Sequence, residues 1–194
     1  MIPYSLSPAD PIASHNQESE IMSMKKDAEH RRKIRRRKQS KLGSVLPILL
    51  AADLAKTECR EATEDDIPIV WDMIATMMAS GNGVGLAAPQ VGCNVRIAVM
   101  KVGKQAPPII LVNPIIVMRS IETVTASEGC LSEPGRFVDV LRHAAIWVKW
   151  RNEDGAEYRA SWTGFEARII QHEIDHLNGF CKVLDRPADD MDPA

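Results

Sequence analysis

Gln171-His172-Glu173-Ile174-Asp175-His176-Leu177 reads HExxH, and its surroundings predict a helix. Thr163 with Glu166 three residues on has the form of a capping box, and Asn178-Gly179 is a helix stop. On a helix the i,i+4 spacing stacks the imidazoles of His172 and His176 on one face, about one turn apart, so both reach one metal ion. Glu173 then stands beside the ion instead of on it, where a general acid/base for a metal-bound water belongs. The competing reading is a buried helix with two ordinary histidines, because short motifs recur by chance.

Upstream of this helix the pattern is mostly β. Val95, Ile97 and Val99 alternate, and residues 109–112, 115–117 and 123–126 read as further strands. Residues 138–141, 145–150 and 158–162 predict an antiparallel meander with Asp154-Gly155 as a hairpin turn. Residues 45–50 are apolar enough for another strand. Thr63 with Asp66 resembles a cap, and Ile67, Val70, Trp71, Ile74, Met77 and Met78 recur at helical spacing up to Gly81, the methionines serving as core filler. Between helix and strands, residues 83–92 (GVGLAAPQVG) are too rich in Gly and Pro for a regular element. They lack the GK[ST] ending of a phosphate loop and suit a loop whose backbone approaches a ligand closely. The expected fold class is α+β, antiparallel sheets packed around the late HExxH helix.

The 194 residues suggest one domain with a core large enough to need no staples. The 45% hydrophobic content and net charge of −2 describe a soluble globular protein and point to no partner. The charge is unevenly distributed. Lys25 and Lys41 bound a run, residues 25–41, with ten Lys or Arg against Asp27 and Glu29, so the run carries +8 and the remainder −10. Residues 1–42 are expected to be a disordered basic arm, residues 43–186 the catalytic domain, and residues 187–194 a flexible acidic tail. The basic run reads as a solvated tail, as a helix binding RNA or an anionic surface, or as sequence upstream of a start at Met22 or Met24. An Arg-rich organellar presequence is a further reading, opposed by Asp10, Glu18 and Glu20.

Cys59, Cys93, Cys130 and Cys181 are widely spaced, form no CxxC pair and follow no secretory leader, which predicts a reducing, cytoplasmic compartment without a disulfide framework. The longest apolar run, residues 45–52, is interrupted by Pro47 and is far too short to span a bilayer, so no membrane partner is expected. Asp53 opposes reading it as a displaced signal peptide.

The second chemical stretch is Ser127-Glu128-Gly129-Cys130-Leu131-Ser132, at the end of a predicted strand. A catalytic metal site commonly has three protein ligands and an open position for water, and Cys130 is the candidate to join His172 and His176. Taken alone, a single cysteine reads more readily as a small buried apolar residue.

Together GVGLAAPQ, EGCLS and QHEIDHL, in this order and spacing, resemble the three motifs of the peptide deformylases. The motifs span residues 83–177, and the resemblance extends from about Val45 to Asp185. It implies the peptide deformylase fold and a bacterial metallohydrolase that removes the formyl group from the N-formylmethionine of nascent polypeptides. It also implies Fe(II) as the native metal, with Zn, Ni or Co able to occupy the site. By the same resemblance Cys130, His172 and His176 match the ligands and Glu173 the general acid/base. Gln90 and the backbone N–H of Leu131 match the groups that hold the developing oxyanion, and Gly85 a backbone contact to substrate. Val84, Phe165 and Ile169 match the apolar pocket for the methionine side chain.

The chain departs from the family pattern in several places. Arg168 falls where an aliphatic pocket residue is expected, and Glu133 replaces the aliphatic residue after EGCLS. Both are counted as substrate-binding: they could pair with each other or recognise another substrate, or Arg168 could snorkel to solvent. Leu141 stands where proline is common, and the segment after Leu50 lacks the usual Pro-Asp-Pro pattern. With 18 residues beyond His176 in the sequence, the long C-terminal helix with which the resemblance implies bacterial relatives dock on the ribosome is not expected. The basic run between Lys25 and Lys41 is therefore the expected replacement contact to ribosomal RNA. A monomer is expected. The alternatives to an active deformylase are a same-fold amide hydrolase of altered specificity and a catalytically weak ribosome- or RNA-binding homologue. An ordinary zinc endopeptidase would normally draw its third ligand from downstream, where no His follows His176.

Overall fold

The computed structural model describes residues 43–180, apart from 55, 57, 102 and 104. The arm at 1–42 with its basic run, the tail at 187–194 and Cys181 lie outside the described residues. Strands β1 (Gly85–Ala87), β2 (Ile97–Met100) and β3 (Ile109–Arg119) are followed by the pair β4 (Thr123–Cys130) and β5 (Glu133–His143). After them come β6 (Ala145–Arg151) and β7 (Glu157–Thr163). The helices are α1 (Ile69–Ala79) and α2 (Gly164–Leu177). β1, β2, β3, β6 and β7 form one five-stranded sheet in that order, and β4 and β5 form a separate two-stranded sheet. All named pairings are antiparallel, and the α+β class stands.

β2 explains the layering. All four of its residues are buried. Ile97 and Val99 pack with Val70, Met73 and Met77 of α1, whereas Ala98 and Met100 pack with Ala167, Ile170 and Ile174 of α2. A strand covered on both faces reads as an unbroken apolar run, and period-2 alternation divides its side chains between the two helices. α2 thus lies against one face of the sheet, with Ile146 and Val148 of β6 beneath it.

The α2 ends are held differently from the expectation. Thr163 is the N-cap but makes no side-chain cap bond, so no capping box forms there. The chain enters through Gly164 at φ 57, whose N–H donates to the Ala144 carbonyl at 3.2 Å. At the other end the expected stop is present. Gly179 adopts φ 87, its N–H donates to His176 O at 3.1 Å, and the Phe180 N–H donates to Asp175 O at 3.0 Å. These two bonds are a Schellman closure. Arg96 adds bonds to Leu177 O and Asn178 Oδ1, and the Cys59 N–H also donates to Leu177 O.

Other expectations need correction. Residues 45–50 form no strand. Pro47 removes a donor, and the segment is pinned by isolated bonds, Leu49 N–H to Gln90 O at 2.8 Å and Ala51 N–H to Ser132 O at 2.9 Å. The Thr63–Asp66 box closes a 3-10 turn (Glu64–Asp66), and α1 begins after Pro68. Its buried face is Val70, Met73, Thr76 and Met77, while Met78 is half exposed. Residues 109–112 and 115–117 join into β3 through irregular pairing around Asn113, which takes φ 51 and exchanges two hydrogen bonds with Ala62. Gly85–Ala87, expected as loop, pairs with β2. The meander is broken because the two-residue link Leu131-Ser132 folds β5 back on β4, leaving β6 and β7 as the hairpin closed around Asp154-Gly155, with Gly155 at φ 79. Among the described residues Cys93 and Cys130 are free thiols. Among the described residues no helix is long and apolar enough to cross a membrane.

The rotation of α1 can be tested directly. Met73→Ala is expected to lower unfolding free energy by about 2–5 kcal/mol in urea titration, whereas Met78→Ala should stay within about 0.5 kcal/mol of the parent.

Candidate metal centre

The centre is assembled from the end of β4, the middle of α2 and the turn after β1. Period-2 alternation puts Glu128 and Cys130 on the same side of β4, and both are buried. Helical spacing puts Arg168, His172 and His176 on one side of α2. The ligand atoms of Cys130, His172 and His176 all lie within 4.8 Å of one another. Cys130 Sγ is 3.3 Å from His176 Nε2, and the two imidazole centroids are 5.0 Å apart, nearly edge to face. Nδ1 of His172 meets Glu128 Oε2 at 2.9 Å, which fixes the ring and leaves its Nε2 as the ligating nitrogen.

Glu128 is the centre of a buried charge cluster. Arg142 donates to it from Nε and Nη2, each at 2.9 Å, and Arg168 donates from Nη1 at 2.8 Å. Arg142 also bonds Asp175 of α2. Burial alone would raise the Glu128 carboxyl, but the hydrogen bonds from Arg142 and His172 prevail and lower it to about 2. The imidazoles diverge. Burial works against a proton on His172, yet Cys130 and Glu128 prevail and raise it, whereas burial and the charge of His172 lower His176. A cation bound here would displace the His172 proton, since an imidazole ligates only when its ligating nitrogen is free.

Glu173 lies on the neighbouring strip of α2 and points at β1. A Cβ on Gly85 would stand 2.2 Å from Glu173 Oε1 and 3.0 Å from Ile169 Cγ2, so glycine is what admits the carboxylate. Burial pushes the Glu173 carboxyl up to about 7, against the charge of His172. Its Oε2 is buried with no hydrogen-bond partner among the described residues.

Gln90, also buried, has its amide orientation set by two neighbours. The Ala87 N–H donates to Oε1 at 2.8 Å, so Nε2 faces inward and donates to Ser132 Oγ at 3.1 Å and towards Cys130 Sγ at 3.5 Å. Ser132 N–H also donates to Cys130 Sγ at 3.4 Å.

These residues fit a catalytic cation. One sulfur and two nitrogens converge, an outer carboxylate orients one imidazole, and an orphaned buried carboxylate oxygen stands beside them. Three protein donors leave a position open for a reactant.

Of the residues expected at the site, the structure brings together Cys130, His172, His176, Glu173, Gln90, Gly85 and Ile169. Leu131 follows Cys130 in the β4–β5 turn, and its side chain packs towards the α1 side of the core. Val84 and Phe165 are exposed at the edges of β1 and α2. Arg168 neither pairs with Glu133 nor snorkels to solvent: it is buried and its donors go to Glu128 and to strand carbonyls, while Glu133 pairs with Arg136. An aliphatic site and an arginine site occupy the same helix face, and a buried carboxylate within reach is what turns the guanidinium inward. Glu128, Arg142, Asp175 and Ser132 carried no expected role. Glu128 was open to detection, because it lies two residues before a candidate ligand on a strand.

A family model described as polypeptide deformylase matches residues 50–189. Among similar proteins, a peptide deformylase of Pseudothermotoga lettingae is 45% identical over 116 residues, 60% of this chain and 66% of that protein. One of Chlorobium luteolum is 38% identical over 144 residues, 70% of this chain and 75% of that protein. Among solved structures, the peptide deformylase of Thermotoga maritima aligns with a TM-score of 0.69 at 38% identity, over 74% of this chain and 98% of that one. The chain thus spans about two thirds to three quarters of these two curated relatives' length. A match that takes in the β1 turn, the Cys130 strand and the HExxH helix within one continuous alignment makes this chain a member of the polypeptide deformylase family.

Proposed function

We propose that the chain is a metal-dependent hydrolase that removes the formyl group from N-formylmethionine at the start of nascent polypeptides. The observation that carries this reading is the convergence of Glu173 and Gln90 on the Cys130–His172–His176 triad. The triad would hold one divalent cation, Fe(II) with Zn, Ni or Co as alternatives, which when bound polarises the formyl oxygen and acidifies a water.

The chain's own residues account for the proton and the charge. Glu173 accepts a proton from the attacking water and delivers it to the nitrogen as the C–N bond breaks, giving formate and a free amine. Burial keeps its carboxyl near neutrality, where it can both take and give a proton. The inward Nε2 of Gln90 and the N–H of Leu131 are the donors for the developing oxyanion, preorganised by Ala87 and Ser132 on one side and by the β4–β5 turn on the other. Gly85 offers backbone to the substrate. Val84, Phe165 and Ile169 supply apolar surface for the methionine side chain. With Arg168 committed to Glu128, the charge pair that suggested another substrate is not assembled. Outside the described residues, the basic run between Lys25 and Lys41 is the candidate contact to ribosomal RNA, on its charge alone.

Formate release from formyl-Met-Ala-Ser by anaerobically prepared, Fe(II)-loaded protein is the direct test, and rapid turnover is expected. Glu173→Gln should lower kcat by about 10²–10⁴-fold with the metal content per chain unchanged; absence of turnover in the parent overturns the assignment. A sulfur ligand on a redox-active metal is open to oxidation, so the iron form is expected to lose activity in aerobic buffer, and full retention argues against iron. The pH dependence has a defined sign. Glu173 must be ionised to act as base, burial raises its carboxyl to about 7, and a nearby cation would lower it. The acid limb of kcat/KM is therefore expected at or below pH 7, with activity falling as pH drops through it, and a pH–rate profile locates it.

A further inference from the structure

The β4–β5 hairpin that carries Cys130 lies outside the five-stranded sheet. Cys130 sits at one end of the hairpin, while His172 and His176 ride on α2, so the metal triad depends on how hairpin and helix are registered. Arg168, one turn before His172, bridges them. Its Nη2 donates to Val124 O at 2.6 Å, and its Nη1 donates to Val140 O at 2.9 Å and towards Ala126 O at 3.4 Å. Ala126 and Val140 are direct partners across the hairpin, so one guanidinium grips both strands. The same Nη1 reaches Glu128 Oε1 at 2.8 Å, and the other oxygen of that carboxylate meets His172 Nδ1. Arg142 makes the reverse link, from β5 to Glu128 and to Asp175 of α2.

We infer that Arg168 is a positioning residue of the metal site, setting the register of the Cys130 hairpin on α2 so that the sulfur and both imidazoles reach one ion. This rests on the metal-site reading above. A lysine cannot replace the guanidinium fully, because a single ammonium on a flexible stem does not span Glu128 and the Val124 carbonyl with a fixed fork. A methionine of similar length would leave the Val124 and Val140 carbonyls without their Arg168 bonds and Glu128 with one donor fewer.

The test uses the full chain loaded with Co(II), whose sulfur-to-metal absorption band reports the Cys130 bond, together with the rate of metal release to a chelator. Circular dichroism confirms that each variant is folded at the temperature used. Arg168→Met is expected to release Co(II) about 10–100-fold faster than the parent, the range typical of lost outer-sphere support, with a weakened or shifted band. Arg168→Lys should fall between the two. If Arg168→Met does not fold, Arg168→Lys decides: faster release with an altered band supports the inference. Lower thermal stability with parental release rate and band in the folded variants shows a merely structural role and overturns it. Absence of the band in the parent chain overturns the metal reading itself, and this inference with it.

Discussion

The carboxylate of Glu128 is the contact on which the rest of the centre depends. Both of its oxygens are buried, and they accept from Arg142, Arg168 and His172, residues contributed by β5 and α2. Each of those donors is itself tied elsewhere, to Asp175, to the strand carbonyls or into the metal triad. A buried ion pair is costly to assemble and much more costly to leave half made. Here nearly every oxygen and nitrogen in the cluster has a partner, so the cluster contributes geometric definition more than stability. It makes one arrangement of hairpin and helix far better solvated internally than its neighbours in register.

The apolar core supplies the other half of the constraint. β2 is buried on both faces, and α2 packs across it through Ala167, Ile170, Ile174 and Leu177. That packing fixes the rotation of α2, and rotation decides which face the HExxH side chains occupy. With Ile170 and Ile174 turned into the core, His172 and His176 are turned towards the hairpin and Glu173 towards β1. Gly85 completes the arrangement, because any side chain there would displace the Glu173 carboxylate. The strap at residues 45–51 then joins the Gln90 turn to the Cys130 turn through two backbone hydrogen bonds. The turns that carry Gln90 and Leu131, the proposed oxyanion donors, are therefore held by main chain as well as by Ser132.

Burial also separates the behaviour of two carboxyl groups that both act on the charge of His172. Glu128 is surrounded by cationic donors and stays ionised, whereas among the described residues no cationic side chain donates to Glu173, and desolvation raises it towards neutrality. One carboxylate can serve as a fixed orienting charge and the other as a proton carrier, because their environments push the two in opposite directions.

The sequence by itself determined the HExxH helix and its C-terminal stop, the i,i+4 placement of His172 and His176, the Asp154-Gly155 hairpin and the α+β class. These are local properties: helical period, turn chemistry and strand alternation act within a few residues. It also singled out Cys130 and Gln90 through their motifs. Only the tertiary structure decided that β5 leaves the expected meander for β4, that residues 45–50 serve as a strap, and that Met73 and not Met78 faces the core. It likewise decided that Arg168 turns inward to Glu128, about forty residues away in the chain, instead of towards Glu133 or solvent. A charged side chain on a helix is drawn to whichever buried countercharge the fold brings within reach. That choice depends on pairings between distant strands, and no local pattern encodes them.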